Sequence, residues 1–211
     1  MTVEGTFPFG ACVCVSLITQ GTSPFIATLA SFGAGLLTGF LTGILYTKGK
    51  IPVLLAGILV MTGIYSINLR VLGKATVGLL NQNTLLNTGM LRELPNSFPS
   101  VTLGLILLTL LILLLALFLN TDLGQAFIAT GDNKLMARSL GINTDNMEIL
   151  GLMISNGLIG LCGGLIAQND GYADVNMGVG TIVIGLAAII IGEVAFGELS
   201  LTARLVAVIL G

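Results

Sequence analysis

Long apolar runs limit what this chain can become more than any motif does. Residues 25–46, 51–69 and 101–119 each continue for about 20 positions with almost no charge, the length an α-helix needs to cross the hydrocarbon of a bilayer. Residues 149–168 and 178–192 are further apolar runs, interrupted by glycine. In hydrocarbon every backbone N–H and C=O must find a partner inside the protein, so such runs fold as helices. Composition agrees: 9% of the 211 residues are charged and mean hydropathy is +1.03, whereas soluble domains carry roughly 25% charged residues. The expected fold class is all-α, a polytopic transmembrane helix bundle, with residues 1–211 as one transmembrane domain.

Several chemistries drop out early. There is no histidine, so histidine bases and ligands are excluded. Cys12, Cys14 and Cys162 form no CxxC pair and sit among apolar residues, where small buried hydrophobes are the simplest reading. No cofactor or metal site is expected, and no basic run suggests nucleic acid. The ends are unusual. TVEGTFPFG after Met1 lacks a basic region and is not a signal peptide. The closing run LTARLVAVILG is too short for a span. Both ends are therefore expected to be truncated, with at least one further helix on each side.

Residues 7–19 read as a half-span, or as the tail of a helix broken between Gly5 and Pro8. The next run carries small residues four apart: Ala30, Ala34, Thr38 and Thr42, then Ser31, Gly35, Gly39 and Gly43. Two such stripes point to close helix packing. Residues 70–100 are polar and turn-rich and read as an outer loop with a short helix near 84–91. Residues 101–119 form the clearest span. Within the spans the polar groups that could line a pathway or gate are Asn68, Ser66, Ser155 and Asn156, each at least as well suited to a helix–helix hydrogen bond. Glu193 sits near a membrane boundary, where a carboxylate needs a partner or water; Arg138 and Arg204 are the candidates.

The longest polar passage, residues 121–150, holds Asp122, Asp132, Lys134, Arg138, Asp145 and Glu148 between two apolar runs. A connection needs only a few residues, so a folded docking element is expected. Asp132 and Asn133 suit a helix start, residues 133–140 the helix, and Gly141 its stop. Leu135, Met136 and Leu140 would form an apolar strip for a partner, with Ala137 allowing close approach and Arg138 offering a charged hydrogen bond. Lys48, Lys50, Lys134, Arg138 and Arg204 fall on one side of the bundle; Arg70, Lys74 and Arg92 fall on the other. The excess puts the polar passage in the cytoplasm, in the cell membrane of a prokaryotic type of protein.

ATGDNKLMARSLGIN at residues 129–143 resembles the cytoplasmic coupling loop of ATP-binding-cassette importer permeases of the branched-chain amino-acid and sugar type. The resemblance continues through ISNGLIGLCGGLIAQNDGYADVNMGVGTIVIGLAAIIIGE, and upstream through TVEGTFPFGA and KGKIPVLLAGILVMTGIYSINLR. These segments look like the subgroup paired with aromatic amino-acid or related solute-binding lipoproteins. The resemblance implies a coupling loop at 121–148 that includes Thr130, Gly131, Asp132, Asn133, Leu135, Met136, Ala137, Arg138, Leu140 and Gly141. It implies a second permease copy, a separate ATP-binding subunit that holds the ATP, an extracellular solute-binding lipoprotein, and an amino-acid-like solute. The chain itself contains no GxxxxGK[ST] loop and no enzyme site is expected. The alternative is a secondary transporter driven by an ion gradient. It would want acids within the spans, and the mid-span positions offer none.

Overall fold

The structure is a computed structural model that describes residues 2–79, 82, 84, 85 and 99–196, with the backbone alone for 99–103, 193, 195 and 196. The helices are α1 (Val3–Thr19), α2 (Pro24–Thr47), α3 (Val53–Leu72), α4 (Pro99–Leu119), α5 (Asp122–Asp132), α6 (Lys134–Ser139), α7 (Thr144–Asp170) and α8 (Thr181–Phe196). Helices α2, α3 and α7 are long and apolar enough to cross a membrane, and α4 joins them if its bent pair with α5 is taken as one span. Helices α1 and α8 are shorter.

The bundle is built around α1 and the glycine face of α7. Thr6, Gly10 and Cys14 of α1 meet Asn156, Gly160 and Gln168 of α7 in ascending order, so the two run parallel. Thr28, Gly35, Gly39 and Gly43 of α2 meet Gln168, Asn156, Leu152 and Ile149 in descending order, so α2 runs antiparallel to α7. The contact is backbone against backbone. A methyl group at Gly10 would overlap the carbonyl of Gly160, and one at Gly35 would overlap that of Asn156. Small residues therefore bring these helices together through van der Waals contact, which hydrophobicity alone cannot supply in lipid. The small-residue stripes of α2 are buried from Ser31 to Gly43, as close packing requires.

Helix α1 is not broken at its proline. It runs unbroken through Pro8, with Ala11, Cys12, Cys14 and Val15 fully buried. Pro8, the sixth residue of α1, removes one intrahelical hydrogen bond, the one to the Glu4 carbonyl, and the helix continues past it. Because Thr2 and Thr6 both donate to the Asn156 carboxamide, the first turn of α1 lies level with the middle of α7. The segment after α7 returns to this level: Gly178 packs so closely on the Glu4 carbonyl that a side chain would not fit, and the Gly180 N–H donates to Glu4 Oε1 at 3.0 Å. Helix α8 thus starts against the first turn of α1.

Two short strands were not expected. Residues Thr76–Gly78 (β1) pair antiparallel with Tyr172–Asp174 (β2), tying the exit of α3 to the exit of α7. Three residues per strand are too few to leave an alternating pattern. The helix expected near residues 84–91 falls mostly outside the described residues. Outer faces of α3, α4 and α8 expose Leu54, Leu55, Leu113, Leu114, Ile184 and Ile190, which suits lipid contact.

Candidate functional site

The polar passage folds as an elbow. Helix α5 leaves α4 at 82°, so the chain turns sharply where the apolar run gives way to the polar passage. The elbow contains two helices where one was expected, because Asp132 ends α5 and Asn133 begins α6. Three side chains cap successive helices: Thr121 Oγ1 accepts from Gly124 N–H, Asn133 Oδ1 from Met136 N–H at 3.0 Å, and Asn143 Oδ1 from Asn146 N–H. Helix α6 stops at Gly141, whose φ of +84° is open to glycine. The Gly141 N–H donates to the Arg138 carbonyl and the Ile142 N–H to that of Ala137, the bonding pattern that closes a helix on a left-handed residue.

Ion pairs fasten α6 to α7. Lys134 Nζ lies 2.8 Å from Glu148 and sits 5.6 Å from the centre of the Tyr46 ring at the end of α2. Its bond to Glu148 raises the lysine pKa. Arg138 donates to Thr144 Oγ1 at 2.9 Å and to Asp145 Oδ1 at 2.8 Å. These contacts correct two expectations. Arg138 is engaged within its own chain, by Thr144 and Asp145, where a hydrogen bond to a partner was expected. Ala137, 1% exposed, packs inside the elbow and does not present a surface to a partner. Thr130 is also buried, its hydroxyl donating to the Ala126 carbonyl, while Gly131 and Asp132 are exposed at the corner. Three apolar side chains stay on the surface beside Arg138 and Ser139: Leu135, Met136 and Leu140 are 81%, 60% and 67% exposed. A six-residue helix has been fixed in place with its greasy side chains facing outward.

The polar groups inside the bundle lie apart from the elbow. Asn156 is buried between α1, α2 and α7; its Oδ1 accepts from Thr2 and Thr6, its Nδ2 donates to the Leu152 carbonyl, and Thr6 reaches Thr38 at 3.1 Å. This is a helix–helix hydrogen-bond network. Ser155, its neighbour, is exposed and bonds back to the Leu152 carbonyl. Asn68 is 1% exposed and neither of its amide atoms has a partner among the described residues. The side chain of Glu193, and Arg204 altogether, lie outside the described residues.

The model of the family described as "Branched-chain amino acid transport system / permease component" matches residues 1–211. The chain belongs to this permease family. It is 44% identical over 172 residues to a tyrosine transport system permease protein of Clostridioides difficile (strain R20291), covering 82% of this chain and 56% of that one. It is 34% identical over 172 residues to an uncharacterised protein of Rickettsia prowazekii (strain Madrid E), covering 82% and 59%. It is 28% identical to the autoinducer 2 import system permease protein LsrC of Salmonella typhimurium (strain LT2), covering 74% and 44%. The chain thus spans about half the length of the curated relatives it matches. No solved structure matches it.

For a permease of this family the sequence reading passed over Glu4. It supplies the acid that the mid-span positions were thought to lack, level with Asn156 and bonded to the start of α8. A carboxylate three residues ahead of the first apolar run was the available signal. Thr2, Thr6 and Thr38 were missed for a different reason: hydroxyls on helices usually bond back to their own turn, and nothing local marks the ones that reach another helix.

Proposed function

We propose that this chain is the membrane-spanning part of an ATP-binding-cassette importer that moves a small, amino-acid-like solute, driven by a separate ATP-binding subunit that docks on α6. The observation that carries the reading is the exposed strip of Leu135, Met136 and Leu140 on a helix held by Lys134–Glu148 and Arg138–Asp145. An apolar strip on so short a helix has no use to a connecting loop; it fits a groove in a partner. The ion pairs would carry movement of that partner into α7, and the Lys134–Tyr46 contact into α2. Gate opening would then be a shift between two arrangements of packed helices.

A second permease copy and an external solute-binding lipoprotein complete the assembly. The solute class is supported by the relative named for tyrosine transport. The elbow end bears Lys48, Lys50, Lys134 and Arg138 and the opposite end Arg70 and Lys74, which supports a cytoplasmic elbow. The test is co-purification of the ATP-binding subunit with the permease, and ATP-dependent uptake in proteoliposomes. Leu135→Asp with Met136→Asp should abolish both and leave the bundle folded. Labelling of Ser139→Cys from outside intact cells by an impermeant thiol reagent would overturn the reading.

One observation favours the ion-gradient alternative: Glu4 is an acid within the bundle. A protonophore that stops uptake while ATP persists would select it.

A further inference from the structure

At the elbow end, the turn between α2 and α3, helix α6 and the start of α7 line an open pocket of about 350 Å³. Its walls include Tyr46, Lys50, Lys134, Arg138, Asp145 and Glu148. The charges do not cancel. Lys134 engages Glu148 and Arg138 engages Asp145. Lys50 is left with no ion pair or hydrogen bond to its side chain among the described residues, and so is its neighbour Lys48.

Lys50 is also held in a backbone state that few residues adopt. Its φ of +50° makes it the one non-glycine with positive φ among the described residues. The surrounding turn imposes this: Lys48 and Gly49 N–H both donate to the Ile44 carbonyl, and Ile51 N–H donates to that of Leu45. Glycine would be the default at such a position, yet a cation occupies it. Immediately beyond the turn, Val53, Leu54 and Leu55 are exposed apolar residues at the start of a span. The free ammonium therefore lies where hydrocarbon gives way to water.

We propose that this pocket binds the phosphate of an anionic phospholipid headgroup, held by Lys50 with Lys48 beside it, its acyl chains lying along Val53, Leu54 and Leu55. The single uncompensated positive charge in the wall matches the single negative charge of a phosphodiester. Basic pockets between spans at the cytoplasmic face are suited to such headgroups. The occupant would sit against both the α2–α3 turn and α6, so leaflet composition would bear on the element that a partner grips. A soluble phosphate ester shares the headgroup's chemistry, and the test separates the two.

The experiment is native mass spectrometry of the full chain released from nanodiscs of equal phosphatidylglycerol and phosphatidylcholine. Retention of phosphatidylglycerol over phosphatidylcholine by about fivefold is expected, the ratio equivalent to one lysine's attraction to an anionic surface. Lys50→Gly should abolish the preference without lowering the melting temperature, because glycine adopts this φ freely; Lys50→Arg should keep it. Lys74→Gln, at the opposite end, should leave it unchanged. Equal retention of both lipids, persistence of the preference in Lys50→Gly, or its loss in Lys74→Gln would each overturn the site. Displacement of the lipid by excess glycerol 1-phosphate would overturn the lipid in favour of a soluble ester.

Discussion

The Glu4 carboxylate accepts a hydrogen bond from the Gly180 N–H at 3.0 Å, joining the first turn of α1 to the residue that precedes α8 at a part-buried contact. Negative charge is favoured at a helix N-terminus, where N–H groups lack intrahelical partners. Glu4→Ala removes the acceptor and should cost about 1–2 kcal/mol, toward the lower part of the range for bonds to charged groups because the site is only partly buried. Glu4→Gln keeps an acceptor oxygen in place and should recover more than half of that loss. Thermal unfolding of the detergent-solubilised protein measures both. Equal destabilisation by the two variants would show that charge, not the acceptor atom, is what α8 requires.

The α2–α7 crossing gives a sharper contrast within one helix. A methyl group at Gly35 would overlap the Asn156 carbonyl, and backbone cannot move aside as a flexible side chain can. Gly33, on the same helix, has nothing within 4 Å of the corresponding position. Gly35→Ala should therefore cost at least the roughly 1–3 kcal/mol of an overpacked core. Gly33→Ala should be neutral or stabilising by up to about 1 kcal/mol, through helix propensity. Melting temperatures that move together would refute the close approach.

The same crossing explains what was legible beforehand. The stripes Ser31, Gly35, Gly39 and Gly43 repeat at helical spacing, and burial follows them residue by residue. The cap at Asn133 and the stop at Gly141 were legible because they depend on neighbours in sequence. Glu4 to Gly180, Thr6 to Asn156 and Thr76 to Asp174 were not, because each joins residues from 98 to 176 positions apart. Arg138 shows the intermediate case. Its place in the elbow could be read, but a cation on a short helix looks the same whether its acid lies on a partner or seven residues along.

Asn68 offers a test of a buried polar group. It shares the inward stripe of α3 with Val60, Ile64 and Leu72, and both amide atoms lack partners among the described residues. An unsatisfied buried amide costs about 1–3 kcal/mol, and replacing it by an apolar group of similar size is neutral or favourable. Asn68→Leu should raise the melting temperature, whereas Asn68→Ala should lower it by leaving a cavity. Uptake read on the stabilised variant tests the pathway role separately: unchanged transport removes Asn68 from it.

Elbow rigidity can be read through Lys134. Its bond to Glu148 raises the folded pKa above the unfolded value, so its contribution is complete below about pH 10.4 and is lost only as pH rises through the folded pKa. Across pH 6–8 the pair is therefore constant, and a change in uptake over that range has another origin. Lys134→Met keeps most of the packing on Tyr46 but releases Glu148. If the pair transmits movement, this variant should keep the ATP-binding subunit bound and hydrolysing ATP while uptake falls severalfold. Proportional loss of hydrolysis and uptake would mean that the pair only anchors the helix.

The opposite end of the bundle has the reverse pH dependence. The Asp174 carboxylate accepts from the Thr76 hydroxyl and the Asn176 N–H, and these bonds hold its pKa below the usual carboxylate value. A depressed folded pKa stabilises above the unfolded value, about 3.9, and the contribution disappears as pH falls through the folded pKa. Thr76→Val deletes the hydroxyl donor while the backbone pairing of β1 with β2 remains available. The wild-type protein should melt above this variant at pH 7, with the gap unchanged down to about pH 5 and closing below pH 4. Both residues of the side-chain bond face solvent, so the gap should be small, and hydrogen exchange of the Val77 and Ala173 amides is the more sensitive readout. A gap that persists at pH 3 would mean that Thr76 stabilises the strand pair through packing alone.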